Sequence, residues 1–407
     1  MSQLLPLASS EPQRPVVRPN IVLFALAMGG FAIGTTEFAS MSLVPYFSHD
    51  LQIDEPTAGH VISAYALGVV IGAPLIALLA ARFPRRQLLL ALMAVFALGN
   101  FLTALSPSYS WMLSLRFLSG LPHGAYFGVA ALVAASLVPF RQRTQAVART
   151  MLGLTVATII GVPLANWIGQ TIGWRFGFIL VSLLALITVM LVWQFAPQDR
   201  PKSTTSPLQE LSALKRKQVW ITLGMGAIGF GGLFAVYTYA ASTMLNITHV
   251  SPHLIPVVLG IFGLGMTCGT LWAAWAADRR LMLTAGGLLL WSAVWLAFYP
   301  LVTRNIWALS IVIFMIGTGG GLGTVLQTRL MDVAGDAQTL AAALNHSAFN
   351  FANALGPFLG GLAIHAGYGF PSTGWVGCGL ALGGFIFWCF AMRDEVREKR
   401  AVVKSQA

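Results

Sequence analysis

The stretch Phe31-Ala-Ile-Gly-Thr-Thr-Glu37-Phe-Ala-Ser-Met41 decides how the rest of this chain is interpreted. It lies within an apolar run from Asn20 to Pro45, and a helix needs about 20 apolar residues to cross a bilayer. A carboxylate in hydrocarbon costs about 2.5–3.5 kcal/mol on insertion scales. Of the acidic residues, only Glu37 falls well inside a predicted span. We interpret Glu37 as a proton-binding carboxylate that faces a central cavity; the alternative is a protonated, hydrogen-bonded structural carboxyl.

The composition of the chain excludes a soluble globular protein. Of its 407 residues, 57% are hydrophobic and 9% are charged, whereas soluble domains contain about 25% charged residues. The mean hydropathy is +0.75. Cys268, Cys378 and Cys389 all fall within apolar runs, so we expect neither a disulfide framework nor a metal site. Residues 1–19 are polar and proline-rich, and the apolar run that follows is too long for a cleavable signal peptide.

Apolar runs separated by short polar breaks predict an all-α integral membrane protein with twelve transmembrane helices in two pseudo-symmetric bundles of six. The longest polar break lies between the sixth and seventh helices. The predicted parts are a tail (1–19), a first bundle (20–196), a linker (197–217), a second bundle (218–392) and a second tail (393–407). The predicted spans are 20–45, 57–80, 86–105, 109–136, 145–168, 174–196, 218–241, 252–277, 281–302, 306–331, 338–365 and 371–392.

Two segments of the sequence resemble each other at corresponding positions of the two halves. Gly68 to Arg82 reads GVVIGAPLIALLAAR, and Gly265 to Arg279 reads GMTCGTLWAAWAADR. Each begins Gly-x-x-x-Gly and ends in Arg at a polar break. Parallel repeats related about the membrane normal occur in transporters, which place the substrate site between the repeats near the bilayer midplane.

The positions of Lys and Arg predict the orientation of the helices. If the N-terminus lies in the cytoplasm, all 24 Lys and Arg fall on the cytoplasmic side except Arg116, Arg175 and Arg304. The even number of spans then returns the C-terminus to the cytoplasm. The net charge of +11 is therefore a signal of membrane topology, and we do not expect nucleic acid to be a partner.

The predicted fourth helix carries Arg116, Gly120, His123 and Phe127 on one face. Arg116 lies roughly 10 Å and Glu37 roughly 12 Å below the outer ends of their helices. We therefore expect Arg116 to lie near Glu37 and to tune its proton affinity, because a cation favours the carboxylate whereas burial favours the neutral acid. The alternative is that Arg116 binds backbone carbonyls. His123 is either structural or a proton relay.

The predicted fifth helix carries a stripe of small residues at intervals of four, which includes Gly153, Gly161 and Gly169. Small residues let helices approach closely in a membrane. Pro163 removes a backbone donor and should bend the helix. We expect this stripe to pack against another helix and to serve as a rocking contact between the halves.

A polar stripe follows one face of the predicted eleventh helix. Within a membrane such a stripe must face protein or water. We interpret it as part of the substrate cavity, with a helix–helix hydrogen bond as the alternative. Tyrosines add ring surface with a polar tip. The predicted cavity residues are Thr36, Tyr65, Tyr126, Tyr237, Tyr239, His346, Asn350 and Asn353.

Several enzymatic signatures are missing from the sequence. No Lys follows a Gly, so the chain has no P-loop and no ATPase site. Neither a zinc-ligand spacing nor a credible Ser, His and acid arrangement is present. We expect no enzymatic activity and no cofactor, and an ion gradient would have to supply the energy.

Five segments together resemble the major facilitator superfamily, and most closely its drug:proton antiporter group, in the bacterial branch with sugar-efflux-like and chloramphenicol-resistance transporters. The resemblance covers residues 20–392. The segments are IGTTEF at 33–38, AGHVISAYALGVVIGAP at 58–74, RFLSGLPHGAYFGV at 116–129, GVPLANWIGQTIGWR at 161–175 and LNHSAFNFANALGP at 344–357.

This resemblance implies roles for particular residues. It implies that Arg116 assists proton coupling and that Gly161 and Pro163 belong to a motif of exporters. It also implies a gating motif, Asp-Arg-x-Gly-Arg, after the second helix, from which this chain departs at Ala81 and Pro84. The expected gating residues are Arg82, Arg85 and Arg86 in the first half and Asp278 and Arg279 in the second.

We therefore expect a secondary transporter of the bacterial inner membrane that exports small, mainly uncharged or amphipathic compounds in exchange for protons. Efflux of sugars or arabinosides is the closest alternative, and proton-coupled import of a small metabolite is the next. The expected partners are the lipid bilayer, protons and a small-molecule substrate. The resemblance also implies a monomer.

Overall fold

Helices account for all of the regular secondary structure in the described part of the chain. The computed structural model describes residues 18–80, 83–139, 143–198, 211–335 and 338–406. The long helices are α1 (Pro19–Ser42), α2 (Glu55–Ala80), α3 (Arg85–Ala104), α4 (Tyr109–Ser136), α5 (Arg143–Val156, Ala157–Gly161 and Val162–Thr171), α6 (Trp174–Phe195), α7 (Lys217–Gly229, Gly231–Thr238 and Ala240–Asn246), α8 and α9 (the two parts of Ile255–Val302), α10 (Ile306–Thr318, Gly319–Gly321 and Leu322–Ala334), α11 (Gln338–Ala363) and α12 (Ser372–Gln406).

These helices confirm the prediction of twelve membrane-spanning segments. Ten segments of the described chain are long and apolar enough to cross a bilayer. One of them, Pro252–Val302, contains Arg280 with non-helical backbone angles (φ −149°, ψ 75°), and this residue separates α8 from α9. The amphipathic helix α11 completes the set. The predicted tail 1–19 and linker 197–217 lie mostly outside the described residues, so their boundaries stay predictions.

The helices form two bundles that meet along two helix pairs. In the first bundle, α1 packs against α5 and α6, while α4 packs against α2 and α3. In the second, α8 packs against α10, and α7 packs against α11 and α12. The bundles meet where α2 lies against α11 and where α5 lies against α8. Hydrogen bonds from Ser63 to the Ala354 carbonyl (2.8 Å) and from Ser347 to the Val70 carbonyl (3.3 Å) join the α2–α11 pair.

The repeated Gly-x-x-x-Gly segments perform the same structural task in both bundles. A Cβ atom added to Gly68 or Gly72 on α2 would lie 2.1 Å from a carbonyl oxygen of α4. One added to Gly265 or Gly269 on α8 would lie 2.2 or 2.1 Å from a carbonyl oxygen of α10. Only a residue without a side chain permits such contact between backbones. The predicted pseudo-symmetry therefore has a physical basis in two equivalent helix contacts.

The small-residue stripe of α5 packs on α1. A Cβ atom added to Gly153 would lie 1.9 Å from the Ala27 carbonyl, and one added to Gly161 would lie 2.2 Å from the Thr35 hydroxyl. Gly169 fits equally closely against the side chain of Leu43. The stripe thus holds α1 and α5 together within the first bundle.

The predicted irregularity of α5 at Pro163 is present as a π-helical turn. The turn covers Ala157–Gly161, immediately before the segment that contains Pro163. Proline lacks an N–H donor, and the hydrogen-bond ladder adjusts by taking in an extra residue. Beside this turn, α5 meets α8 across the bundle boundary, where a Cβ atom added to Gly263 would lie 2.5 Å from the Thr158 carbonyl.

Candidate functional site

Glu37 forms a hydrogen bond that joins the two bundles. Its side chain is 7% exposed, on the buried face of α1. Asn353 on α11 is 0% exposed and donates from Nδ2 to Glu37 Oε1 over 3.0 Å. The sequence placed Glu37 at a proton site and Asn353 in the cavity, and the structure brings the two side chains into direct contact. The intramembrane carboxyl is thus bonded to a residue of the opposite bundle.

Arg116 is fully buried beside Glu37. Its guanidinium donates from Nη1 to Thr36 Oγ1 (3.1 Å) and from Nη2 to Ser40 Oγ (3.3 Å), two hydroxyls that flank Glu37 on α1. Its Cζ atom lies 4.1 Å from the centre of the Tyr65 ring, and its charge interacts with the Glu37 carboxyl. The predicted proximity of Arg116 and Glu37 is therefore present, through hydroxyl groups; the role of Arg116 in proton coupling stays a prediction.

Asn100 on α3 extends this network and was missed by sequence reasoning. The Thr36 hydroxyl donates to Asn100 Oδ1 (2.7 Å), and Asn100 Nδ2 donates to the Phe96 carbonyl (2.9 Å). All of these groups are buried. A lone Asn in the apolar third helix was the available signal. Thr36, predicted to line the cavity, has its hydroxyl committed to Arg116 and Asn100 in this conformation.

His123 belongs to a chain of rings that also crosses the bundle boundary. The Tyr65 hydroxyl and His123 Nδ1 are 3.0 Å apart, which is a hydrogen-bond distance. His123 packs edge-on against Phe127 with ring centres 5.5 Å apart. Phe127 in turn stacks on His346 of α11, with ring centres 5.5 Å apart and planes 3° apart. His123 therefore lies between Tyr65 and Phe127, the ring that stacks on His346. The role of His123 as a proton relay stays a prediction.

Two buried amides of α11 present oxygen atoms without partners in the described part of the chain. Asn350 is 4% exposed; its Nδ2 donates to the His346 carbonyl over 3.0 Å. Its Oδ1 atom and that of Asn353 are both buried without a hydrogen-bond partner among the described residues. Buried polar atoms are nearly always hydrogen-bonded, so two such acceptors on one helix face need an explanation.

The four predicted tyrosines occupy different surroundings. The Tyr126 hydroxyl donates to the Leu26 carbonyl (2.8 Å), and the Tyr239 hydroxyl donates to the Pro357 carbonyl (3.0 Å). Both rings therefore lie in helix contacts in this conformation. Tyr65 lies beneath Arg116. Tyr237 belongs to a cluster of aromatic rings on α1, α7, α8 and α11, and its hydroxyl is buried without a partner among the described residues. The cluster consists of Phe38, Phe230, Phe234, Tyr237, Phe262 and Phe349.

We call the end of the molecule that carries the loop between α1 and α2 the Asp50 end. There, side chains join the two bundles. Asn246 donates to Glu55 (3.5 Å), Gln170 donates to the Pro252 carbonyl (2.9 Å), and His365 lies 3.6 Å from Asp54. This end is therefore closed by contacts between α2 and α7, between α5 and the segment before α8, and between α2 and α11.

Asp50 itself stabilises the rim of the first bundle. Arg175 forms an ion pair with its carboxylate, and Trp174 Nε1 donates to it over 3.0 Å. Arg175 also donates to the Ser106 carbonyl (3.3 Å). The Arg175 and Trp174 hydrogen bonds hold the pKa of Asp50 below its ordinary value.

We call the opposite end, where α2 leads into α3, the Arg86 end. Arg86 donates to the Trp193 carbonyl within the first bundle. Arg279 donates to the Trp275 carbonyl (3.0 Å) and lies 3.8 Å above the Trp275 ring, and its neighbour Asp278 is exposed. Arg85 begins α3, and Arg82 lies outside the described residues. The gating roles of these residues stay predictions.

An open groove lies between α1 and α5 toward the Arg86 end. Its volume is about 580 Å³, and apolar side chains form nearly all of its wall. Arg149 and Asn20 lie at its end and are hydrogen-bonded to each other (3.3 Å). Two of the side chains that line it, Phe24 and Leu152, are more than half exposed. The molecule therefore has contacts between its bundles at one end and an accessible apolar groove toward the other.

Comparison with known proteins agrees with this architecture. The profile of the family described as Major Facilitator Superfamily matches residues 26–335 and 223–407. The inner membrane transport protein YdhP of Escherichia coli is 40% identical over 89% of this chain and 94% of its own length. A chloramphenicol resistance protein of Streptomyces lividans is 33% identical over 83% and 87%, respectively.

A solved structure supports the same fold at low sequence identity. The nucleoside transporter NupG, crystallised as a point mutant, superposes with a TM-score of 0.73 over 91% of this chain and 99% of its own. Its sequence identity is 12%, so the similarity concerns the fold alone.

Proposed function

Because the chain belongs to the major facilitator superfamily and is an integral, multi-pass membrane transporter, we propose that it exports small uncharged or amphipathic compounds in exchange for protons. Transport proceeds by alternating access, in which the two bundles rock about a site near the bilayer midplane. The proton gradient supplies the energy, and the protein needs no cofactor. It functions as a monomer and not as an enzyme.

The hydrogen bond between Glu37 and Asn353 carries this proposal. An ionised carboxylate only accepts hydrogen bonds, whereas a protonated one also donates, so a proton on Glu37 changes a bond between the bundles. A buried acidic residue within a membrane helix is a functional hypothesis by default. Arg116 lies close enough to influence this proton, because its charge interacts with that of Glu37.

The apolar character of the interior supports an amphipathic substrate. The aromatic cluster around Phe38 and Tyr237 offers ring surface beside Glu37, and the groove between α1 and α5 is almost entirely apolar. The S. lividans relative is named for resistance to chloramphenicol, an uncharged compound with an aromatic ring. A single acidic group within the membrane does not suit a polycationic substrate.

Export of sugars or arabinosides is the second candidate. The polar stripe of His346, Asn350 and Asn353 favours it, because a sugar needs several hydrogen-bond partners. Proton-coupled import of a small metabolite uses the same site with the opposite direction of flow.

We also propose that the protein lies in the bacterial inner membrane with both termini in the cytoplasm, as the distribution of Lys and Arg favours. The Arg86 end then faces the cytoplasm, and the apolar groove between α1 and α5 lies toward that side. Labelling single cysteines at Arg304 and Asp332 in intact cells with a membrane-impermeant reagent tests the orientation. We expect Arg304→Cys to react and Asp332→Cys to react only after the membrane is opened.

Transport in proteoliposomes tests the function directly. We expect an imposed pH gradient to drive accumulation of radiolabelled chloramphenicol by the wild type, and Glu37→Gln to lose this gradient-driven accumulation. Asp332→Asn removes an exposed carboxylate on α10 and should transport normally. Accumulation of arabinose in place of chloramphenicol selects the second candidate. Equal gradient-driven transport by the wild type and Glu37→Gln would assign the proton to another group.

A further inference from the structure

The Asn353 side chain can present two different chemical groups to the interior. A primary amide carries an N–H₂ donor on one side and a carbonyl acceptor on the other. In the structure, the Nδ2 atom is held by Glu37, and the Oδ1 atom is buried without a partner among the described residues. We propose that Asn353 is an amide switch, which offers its own acceptor to N–H or O–H donors of a bound compound only while Glu37 is ionised. The proposal rests on the proposed function of this site.

The state of Glu37 determines which way the amide turns. An ionised Glu37 accepts hydrogen bonds only, so it selects the amide orientation in which Nδ2 donates to it. The Oδ1 atom of Asn353 is then left to accept a hydrogen bond from a substrate. A protonated Glu37 carries an O–H donor, for which the carbonyl oxygen of Asn353 is the matching acceptor. Half a rotation about the Cβ–Cγ bond makes this pairing and presents Nδ2 to the substrate instead.

A substrate donor is rejected after this rotation. Two donors that face each other leave both hydrogens unsatisfied in a buried site, which weakens binding by about tenfold or more. A proton on Glu37 and a donor-bearing substrate on Asn353 therefore oppose each other's binding. Because such coupling is reciprocal, substrate binding must also favour release of the proton. This is the relationship that exchange of a substrate for a proton requires.

Asn350 provides a second acceptor that does not depend on Glu37. It lies one turn before Asn353 on α11, and Cβ atoms at this spacing are about 5–6 Å apart. Its Nδ2 atom is held by the His346 carbonyl, which fixes the open Oδ1 atom in place whatever the state of Glu37. The two amides therefore suit a compound with two hydrogen-bond donors at adjacent positions.

The aromatic cluster defines the rest of the compound. Phe38 follows Glu37 on α1, and Phe349 precedes Asn350 on α11. Rings of α7 connect them: Phe234 lies 6.1 Å from Phe38, and Phe230 lies 4.6 Å from Phe349, between ring centres. The acceptors thus adjoin a continuous aromatic surface. The substrate class is an uncharged compound with a flat apolar ring and two N–H or O–H donors.

Other titratable groups adjust the pH at which the switch operates. Those contributed by helices around Glu37 are Arg116 and His123 on α4, Tyr65 on α2, Tyr237 on α7 and His346 on α11. Arg116 and Tyr65 interact with the Glu37 charge directly, and His346 interacts with His123. The Asn353 amide is bonded to Glu37 and not to these other titratable groups. Replacement of Asn353 should therefore make substrate binding independent of pH while the titratable groups remain in place.

Binding of chloramphenicol to the purified protein in detergent tests the switch. This compound has hydroxyl and amide donors and an aromatic ring. We expect wild-type affinity to fall at least tenfold from mildly alkaline to mildly acidic pH. Asn353→Leu should bind weakly with the same affinity at both. Asn350→Leu is the matched control, because it loses an open acceptor on the same helix face and keeps the contact of Asn353 with Glu37. Its affinity for chloramphenicol should fall, and this affinity should still depend on pH.

A second ligand sharpens the assignment of donors. The diacetyl ester of chloramphenicol keeps the ring and the amide N–H but lacks both hydroxyl donors. It can therefore satisfy only one of the two acceptors, and its affinity for the wild type should be lower than that of chloramphenicol. Full pH dependence of chloramphenicol binding in Asn353→Leu would overturn the proposal. Thermal unfolding of each variant in detergent checks that it is folded.

Infrared titration tests the switch without a ligand. The carbonyl band of protonated Glu37, assigned by its loss in Glu37→Gln, should move to higher frequency in Asn353→Leu, because the O–H···Oδ1 bond is lost. It should stay in place in Asn350→Leu. An unchanged band in Asn353→Leu refutes the rotation. If the wild type neither binds nor transports chloramphenicol while this band shifts as expected, the choice of exported compound is wrong and the switch stands.

Discussion

The contact of Glu37 with Asn353 lies between two walls, one from each bundle, and these walls differ in how their polar groups are paired. On the first bundle, Arg116 donates to Thr36, Thr36 donates to Asn100, and Asn100 ends the network on the backbone of α3. On the second bundle, Asn350 and Asn353 leave their oxygen atoms open. A guanidinium within a membrane needs partners, and the first wall supplies hydroxyls to both Nη atoms of Arg116, whereas its Nε atom has no hydrogen-bond partner among the described residues. The comparison suggests that one wall maintains a fixed charge and the other recognises a changing ligand.

Removal of the fixed charge should have the largest effect. We expect Arg116→Leu to reduce gradient-driven transport in proteoliposomes to background, because the hydroxyls of Thr36 and Ser40 lose their donor and Glu37 loses a neighbouring cation. Arg116→Lys keeps the charge but cannot reach two hydroxyls in fork geometry, so it should keep a small fraction of the rate. Arg304→Leu, at an exposed position, is the control. Normal transport by Arg116→Leu would show that the paired wall is structural only.

Replacement of a buried Asn by Leu should lower stability more on the first wall than on the second. We expect Asn100→Leu to lower the free energy of unfolding by about 1–3 kcal/mol, since it leaves the buried Thr36 hydroxyl without its acceptor. Denaturation in detergent measures this loss. The same exchange at Asn350 removes an oxygen that has no partner among the described residues and one hydrogen bond to the His346 carbonyl. It should cost less than about 1 kcal/mol and should weaken substrate binding. Equal losses of stability would remove the distinction between the walls.

Removal of the ion pair between Asp50 and Arg175 should have the smallest effect on stability. The direction in which this effect changes with pH can be stated. Because the pKa of Asp50 is lowered in the folded protein, its stabilising effect is present above the unfolded pKa of about 3.9 and is lost as pH falls through the folded value. Both side chains are substantially exposed, so Asp50→Asn should cost about 0.2–1 kcal/mol at neutral pH. The difference in melting temperature from the wild type should disappear in acid and shrink in high salt. A difference that grows in acid would contradict this sign.

The fold could be predicted because its strongest signals lie in the order of residues along the chain. Runs of apolar residues mark the spans, and the repeated glycines at Gly68 and Gly265 mark equivalent helix contacts. The proximity of Arg116 to Glu37 was also predictable, since it follows from depth in the membrane. These inferences need only the distance of a residue along its own helix from the membrane surface.

The contacts between bundles could not be predicted in the same way. Glu37 and Asn353 are separated by 316 positions, and their contact depends on the rotation of two helices about their axes. Asn100 was missed because nothing in the sequence of an apolar helix shows which neighbouring helix an Asn side chain faces. Tyr126 and Tyr239 look like cavity residues in the sequence, but each hydroxyl donates to a carbonyl of an adjacent helix. The direction of a side chain is a property of the packed bundle.

The close contact of Gly263 with the Thr158 carbonyl has a mechanical consequence for the molecule. Two backbones that touch without side chains between them cannot be compressed, so this contact would act as a fulcrum between the bundles near the middle of α5. The part of α5 from Arg143 to Thr158 is a lever arm of about 22 Å. A rotation of about 15° around the fulcrum would displace its far end by about 6 Å. Small adjustments beside the π-helical turn would thereby be amplified into a large displacement of α5 at the Arg86 end.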